Sequence, residues 1–442
     1  MESQQRDYWN PWLETLDPAR LKQIELKNFR KYVAYAMEHS GLYRQKLAGI
    51  NPEDIKTMED VRKLPLTDKE DLRLAQLGEK PSIYGDVLGV DPLEVSDFHQ
   101  TSGTTGRPVY VPESYESWQW RVEVWSHILW MAGFRETDRV FVPFGYNVYV
   151  AFWEGHYAAE KVGCEVVPGG ALDTKGRISK MIETRSTALM NTPTYGLHMA
   201  EVAGDMGIDP GAIGIRKMLC AGEPLADATR RLLERTWEAE VYDHIGGTEP
   251  CAWAAMCKDR NGMHIMEPFF LVEVLDVNDL STEVGPGELG TVVVTPLGRR
   301  SFPLVRFNTK DLARKPMESG CSCGRTSVKI ARIEGRTDHL LKIRGVLFTP
   351  VAVEECLRDE FPAVAEFEIA VRRTGIMDEV ALKVETCEDM GSGACAELRG
   401  RIFERLKHRT NLTFGIEVVR PGELPRYQLK ASRFKDLREE QK

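Results

Sequence analysis

The segment Thr101-Ser102-Gly103-Thr104-Thr105-Gly106-Arg107-Pro108 gathers hydroxyls, glycines and a cation in one short run. Glycine lets the backbone bend until several N–H groups point at one anion, and Ser and Thr hydroxyls add further donors. Arg107 supplies the positive charge that a polyphosphate needs. The residues alone fit either a nucleotide-phosphate cradle or a solvated turn. They are not a Walker A loop, which ends in Gly-Lys-Ser/Thr, nor the Gly-x-Gly-x-x-Gly of a dinucleotide site.

A second set has metal-ligand character. Cys257 and His264 lie close together, and Cys321-Ser322-Cys323-Gly324 supplies two more thiols far along the chain. Three thiolates and an imidazole make a closed, structural zinc site. The long gap between the two halves is not a finger pattern, so spacing leaves open four reduced side chains in a β subdomain, and Cys251 is a competing ligand.

The elements that must position these groups change character along the chain. Residues 18–80 read as helices: Leu21, Ile24, Tyr32, Ala36 and Leu42 recur at roughly helical spacing, and Thr67-Asp68-Lys69-Glu70-Asp71 is a capped helix start. From 139 to 245, short apolar runs at 140–142, 165–167, 188–190, 217–219 and 241–242 alternate with helical stretches such as 154–163 and 224–238. That alternation implies a parallel sheet covered on both faces, with ligands at the carboxyl ends of its strands. Gly145, Pro168-Gly169-Gly170, Ala221-Gly222-Glu223-Pro224 and Gly246-Gly247-Thr248-Glu249 all fall there. Antiparallel strands are expected at 270–274, 291–294 and 304–307. After about residue 338 a small α+β unit follows, with strands near 367–372, 379–385 and 415–419 and a helix near 395–408. The expected fold class is α/β, with an N-terminal domain over 1–337, an antiparallel β subdomain at about 255–330, and a C-terminal domain over 338–442.

Composition bounds the partners. The chain has 442 residues, of which 42% are hydrophobic and 28% charged, as in ordinary globular proteins. A formal charge of -9 argues against a general nucleic-acid binder and for small or local partners. No apolar run reaches the length of a membrane span, and Met1-Glu2-Ser3-Gln4-Gln5-Arg6-Asp7 lacks the pattern of a signal peptide. The expected location is the cytoplasm, where nine cysteines would be thiols or metal ligands.

Five segments now line up in order: the loop at 101–108, Gly247-Thr248-Glu249, Arg306-Phe307-Asn308-Thr309-Lys310-Asp311, Gly335-Arg336-Thr337-Asp338 with Gly345, and Leu424-Pro425-Arg426-Tyr427-Gln428-Leu429-Lys430. In this order they resemble the adenylate-forming superfamily, and specifically the phenylacetate–CoA ligase family, over nearly the whole chain. Ser40-Gly41-Leu42-Tyr43-Arg44, the stretch from Leu64 to Arg73, residues 155–163 and Ile343-Arg344-Gly345-Val346 resemble that family too. The resemblance implies a large adenylate-forming domain followed by a small mobile one, and a homodimer. It also implies a two-step reaction, in which a carboxylic acid and MgATP give an acyl adenylate and pyrophosphate, and coenzyme A then displaces AMP.

Site roles follow from the resemblance residue by residue. Thr101, Ser102, Gly103, Thr104, Thr105 and Gly106 would grip the phosphates together with Arg107, which stands where the family usually has lysine. Glu249 matches the magnesium-coordinating glutamate beside Thr248, and a hard carboxylate oxygen suits that ion. Asp311 matches the aspartate that accepts from both ribose hydroxyls, Arg336 a nucleotide contact, and Gly222, Glu223 and Pro224 the segment packing on adenine. Asp338 matches the hinge. Lys430 matches the lysine that bridges the acid's carboxylate and the α-phosphate, although a lysine near Lys435, Arg438 and Lys442 also reads as part of a charged tail. Some relatives hold zinc at positions corresponding to Cys257, His264, Cys321 and Cys323.

The acid pocket departs from the family pattern. Asn147, Ala151, Phe152 and Glu154 replace family glycines, and Ile245 replaces the aromatic of a Tyr-Gly-x-Ser-Glu motif. Large side chains at Phe144, Tyr149 and Phe152, with Ile245 and Gly246, are expected to shorten or reshape the pocket. The expected substrate is a phenylacetate-like aryl acid of altered shape. Two other readings are an adenylating enzyme that hands the acyl group or AMP to another acceptor, and a non-catalytic nucleotide-binding relative.

Overall fold

The computed structural model describes residues 7–438 except Glu79, 102–106, 147–149, 316–319, 338–340, 344–345, 349, 375–376 and 428–432. Its contacts form two units: one of residues up to 191 with 213–222 and 240–333, the other of 192–212, 223–239 and 334 onward.

The first unit opens with helices. α1 (Pro18–His39) starts at Asp17, whose carboxylate accepts from the Ala19 and Arg20 N–H groups while Pro18 fills the first turn. Its buried Phe29, Tyr32, Val33 and Ala36 share a core with Tyr43, Leu64, Leu271 and Val305. α2 (Lys69–Ala75) begins at a capping box between Asp68 and Asp71. A two-stranded ribbon follows, β1 (Val95–Gln100) paired antiparallel with β2 (Tyr110–Ser114), and β2 leads directly into α3 (Tyr115–Met131).

The expected parallel sheet is present. β3 (Arg139–Val142), β4 (Glu165–Pro168), β5 (Ala188–Asn191), β6 (Lys217–Cys220) and β7 (Glu240–Gly247) run parallel in the order β7-β6-β5-β3-β4. α4 (Ala151–Val162) and α5 (Thr174–Thr184) follow β3 and β4, so the strand ends share one edge. Beyond β7 the sheet continues antiparallel through β8 (Cys251–Met256) and β9 (Met263–Ile265). A further antiparallel group is formed by β10 (Phe270–Leu275), β11 (Leu289–Pro296) and β12 (Phe307–Arg314). The third of these was expected at 304–307. It lies later because the backbone N–H groups of Leu304, Val305 and Arg306 are taken by the hydroxyls of Tyr32, Tyr43 and Thr295. β13 (Lys329–Ile330) returns to pair with β9.

β14 (Ile333–Arg336) begins at the last residue of the first unit, and in the second unit it precedes the hairpin of β15 (Leu341–Ile343) and β16 (Val346–Phe348). α6 (Pro193–Asp205), α7 (Asp227–Trp237), α8 (Pro350–Glu360) and α9 (Ser392–Thr410) are its helices among the described residues. Its sheet pairs β17 (Val364–Thr374) and β18 (Met377–Thr386) antiparallel, with β19 (Phe414–Val419) parallel to β18 and β20 (Phe434–Asp436) parallel to β17. Val353, Leu357, Phe367, Ile369, Leu382 and Ile402 form its core. No helix among the described residues is long and apolar enough to cross a membrane.

Candidate active site

The 101–108 segment connects β1 to β2. Thr101 N–H donates to Val109 O at 3.1 Å and Val109 N–H returns to Thr101 Oγ1 at 3.0 Å, which closes the connection at its base. Thr101 is buried and Arg107 exposed. The Arg107 carbonyl accepts from Arg73 Nε at 3.0 Å, and its guanidinium lies 5.7 Å from the Tyr110 ring centroid. Ser102, Gly103, Thr104, Thr105 and Gly106 lie outside the described residues.

β7 and β8 meet at the turn carrying Thr248 and Glu249. The strands approach so closely that a Cβ on Gly246 would lie 2.6 Å from Ala252 Cα, which explains the glycine there. Ile245 is buried just before it. The Glu249 carboxylate is largely buried and lies 2.9 Å from Lys69 Nζ. Lys69 is the first residue of α2, and Thr67 fixes where that helix begins. Thr67 N–H donates to Arg306 O at 2.9 Å, and its carbonyl accepts from Asn308 N–H at 2.9 Å. Sequence reasoning assigned Lys69 no chemistry, because its only signal was a capped helix start; the pairing with Glu249 appears only in three dimensions.

Asp311 sits on a bulge. Thr291 pairs with Leu312 and Val293 with Asn308, so three residues of β12, 309–311, stand against Val292 alone on β11. Bulges of this kind re-aim side chains at the edge of a site. Lys310 takes a left-handed φ of 62°, supported by its N–H to Asn308 Oδ1 at 3.0 Å, and Asp311 N–H donates to Thr309 Oγ1 at 3.1 Å. Arg306, in the same motif, is structural: it is buried and grips the Glu273 carboxylate through Nε and Nη2 at 2.9 and 3.1 Å.

The remaining nucleotide candidates are distributed unevenly. Gly222 turns the chain after β6 with φ 85°. Glu223 accepts from Thr194 N–H at 2.6 Å, so its carboxylate caps the N-terminus of α6. Arg336 ends β14, half-buried. Asp338 and Lys430 lie outside the described residues. The segment leading to Lys430 is anchored by Arg426, whose guanidinium meets Glu385 at 2.5 Å and Glu201 at 3.1 Å.

At the carboxyl end of β3, Phe144 and Phe152 stack with centroids 3.8 Å apart. Gly170 approaches this wall, since a Cβ there would lie 2.5 Å from Phe144 O. Arg177 holds that turn, donating to Gly169 O and Gly170 O at 3.1 Å each. Tyr149 lies outside the described residues. Glu154, which replaces a family glycine, has its carboxylate buried against Arg121, 2.5 Å from Nε, which supplies the partner a buried charge needs.

The four zinc candidates do converge. One ligand atom from each of Cys257, His264, Cys321 and Cys323 lies within 4.8 Å of the others. Cys323 Sγ is 3.4 Å from His264 Nε2 and Cys257 Sγ is 3.6 Å from Cys321 Sγ. His264 Nδ1 donates to Ser327 O at 3.1 Å, which fixes the tautomer that leaves Nε2 free to ligate. The donor set therefore fits zinc. Cys251 is not part of it, because its thiol donates to Glu154 at 3.3 Å.

Comparison with known proteins gives this geometry its context. Residues 54–296 match the AMP-binding enzyme family, and residues 345–438 match the AMP-binding enzyme C-terminal domain. The chain is 31% identical to the phenylacetate–coenzyme A ligase of Thermus thermophilus, covering 97% of this chain and 99% of that enzyme. The chain belongs to the phenylacetate–CoA ligase family. The Pseudomonas putida phenylacetate–coenzyme A ligase is also 31% identical, over 96% of each chain. Among solved structures, a 2-hydroxyisobutyryl-CoA ligase in the postadenylation state superimposes with a TM-score of 0.92 at 28% identity, covering 98% of this chain and 93% of that one. This ligase is accordingly an AMP-forming acid–thiol ligase that uses ATP and coenzyme A.

His244 gives the ligase a pH-dependent element beside the site. Its Nδ1 donates to Cys220 O at 2.9 Å, and Trp125 meets its ring edge-on at 4.5 Å. Burial pushes the imidazole down to about 4, against the opposing pull of the Cys220 carbonyl. The unfolded chain therefore takes up this proton first, near pH 6.5, and stability is lost as pH falls from there through 4. The contribution is at most ~3 kcal/mol. The stability gap between wild type and His244→Asn, measured by urea unfolding, is expected to narrow between pH 7.5 and 4.5.

Proposed function

We propose that this ligase activates a compact aryl acid, phenylacetate-like but of a different shape, as its adenylate and then as its coenzyme A thioester. The observation that carries this reading is the Phe144–Phe152 stack, a flat aromatic wall at the carboxyl edge of the parallel sheet. Flat apolar walls suit planar rings, and bulk in place of glycine limits their length. A second reading, a short branched hydroxy acid, is favoured by the likeness to the 2-hydroxyisobutyryl-CoA ligase.

In this reading Thr101 and Arg107 hold the outer phosphates, Asp311 accepts from the ribose hydroxyls, and Glu249 supplies a hard oxygen ligand for magnesium. That ion, when bound, neutralises charge on the phosphates. Lys430 places an ammonium between the attacking carboxylate and the α-phosphate, where charge is redistributed as the bond forms. Cys257, His264, Cys321 and Cys323 hold a structural zinc away from the chemistry.

Acid-dependent ATP–pyrophosphate exchange over phenylacetate, benzoate, a heteroaryl acetate and 2-hydroxyisobutyrate tests the assignment. An aryl acid is expected to lead by at least about tenfold in kcat/KM, the discrimination that a shaped pocket supplies. A lead for 2-hydroxyisobutyrate would establish the second reading instead.

A further inference from the structure

Beneath the turn that carries Glu249 lies a buried set of charges that the reaction does not touch. Arg121 on α3 and Arg299 share the Glu113 carboxylate, Arg121 at 2.8 Å, and both arginine side chains are 0% exposed. Arg121 also grips Glu154 on α4 through Nε at 2.5 Å. Two cations and two anions thus sit together out of water.

Apolar side chains of similar volume would hold this space at least as well, because desolvating four charges offsets their attraction. What apolar side chains cannot do is donate hydrogen bonds. Arg121 Nη1 donates to Thr248 O at 3.3 Å, and Arg299 Nη1 donates to Glu249 O. The two guanidiniums therefore hold consecutive carbonyls of the turn from below while the Glu249 carboxylate faces Lys69 above. The backbone there is constrained, since Cys251, two residues on, takes a left-handed φ of 73° without being glycine.

We propose that Arg121 and Arg299, set by Glu113 and Glu154, are positioning residues for adenylation that fix the Thr248–Glu249 turn in the geometry its carboxylate needs. The proposal rests on the reading of Glu249 as a ligand for the ATP-bound cation. Its readout is the magnesium dependence of acid-dependent ATP–pyrophosphate exchange. A companion readout is thioester formation from purified acyl adenylate and coenzyme A, a step with no triphosphate to neutralise.

Glu154→Gln keeps shape and an acceptor for Arg121 but removes one charge. Arg299→Lys keeps charge but cannot span Glu113 and the Glu249 carbonyl. Each is expected to raise half-saturating magnesium at least threefold and to slow exchange tenfold or more, with the thioester step within twofold of wild type. A folded variant of either kind that melts earlier but keeps wild-type exchange and magnesium dependence would overturn the proposal. Should Arg299→Lys be insoluble, Glu154→Gln decides alone. Wild-type exchange in Glu249→Gln would instead overturn the underlying reading of Glu249, a separate and distinguishable result.

Discussion

Glu249→Gln is expected to slow acid-dependent ATP–pyrophosphate exchange by about 10²–10³-fold, the usual loss when one preorganised charge partner is removed. The amide keeps the shape of the side chain but surrenders the charge that a hard cation requires. Lys69 makes the test sharper. Its ammonium sits 2.9 Å from Glu249 and holds the carboxylate ready while competing with any cation for it. Removing the competitor in Lys69→Met is expected to lower half-saturating magnesium, by no more than about fivefold, since partly exposed ion pairs are worth at most ~1 kcal/mol. Opposite effects on the magnesium dependence from two residues in direct contact would distinguish coordination from general electrostatics. Lys430→Ala is expected to match the loss of Glu249→Gln in exchange.

Removing zinc is the second large expectation. Purified ligase should carry about one equivalent, and chelation or Cys323→Ser should release it. Metal bound with free ligand at a thousandfold its Kd contributes ~4 kcal/mol, so several degrees of Tm should be lost. Packing around the cluster says where the loss begins. Tyr8 donates to Cys323 O at 3.0 Å, and Arg325 pairs with Glu14 at 2.7 Å, so the N-terminal segment leans on the knuckle. Trp9, whose indole donates to Glu123 at 2.9 Å, should report this by a change in fluorescence before global unfolding. Zinc below a tenth of an equivalent, with Tm unmoved by Cys323→Ser, would sink the assignment.

The parallel strands were legible because each is a short apolar run closed by a turn, and the Gly-rich strand ends marked the edge where ligands collect. α3 was not legible. Arg121, Ser126 and His127 lie on its buried face while Tyr115, Trp120 and Trp130 lie on its more exposed one, so polar and apolar side chains do not segregate and no amphipathic period shows. β1 was missed for the converse reason, since its burial alternates weakly in a ribbon of only two strands. The four metal candidates were found by residue type, but spacing could not show that the two halves meet, because β9 and β13 pair across a long excursion through β10 to β12. The burial of Glu154 was not legible, because a sequence displays the bulk of a side chain and not its partner. Its partner, Arg121, lies on a helix that the periodicity did not reveal.

On the proposed reading, the place of residues 101–108 between β1 and β2 bears on how tightly pyrophosphate is kept. Phosphate loops that open a helix borrow its macrodipole, a fixed partial charge that needs no side chain. Here the chain leaves the loop as β2, and α3 does not begin until Tyr115, so the loop does not itself open a helix. On the proposed reading, the full positive charge among the loop's donors is then that of Arg107, which salt screens strongly at an exposed position. A grip of that kind weakens as ionic strength rises and releases its product readily, so catalytic turnover in this ligase should tolerate high pyrophosphate better at high salt than at low.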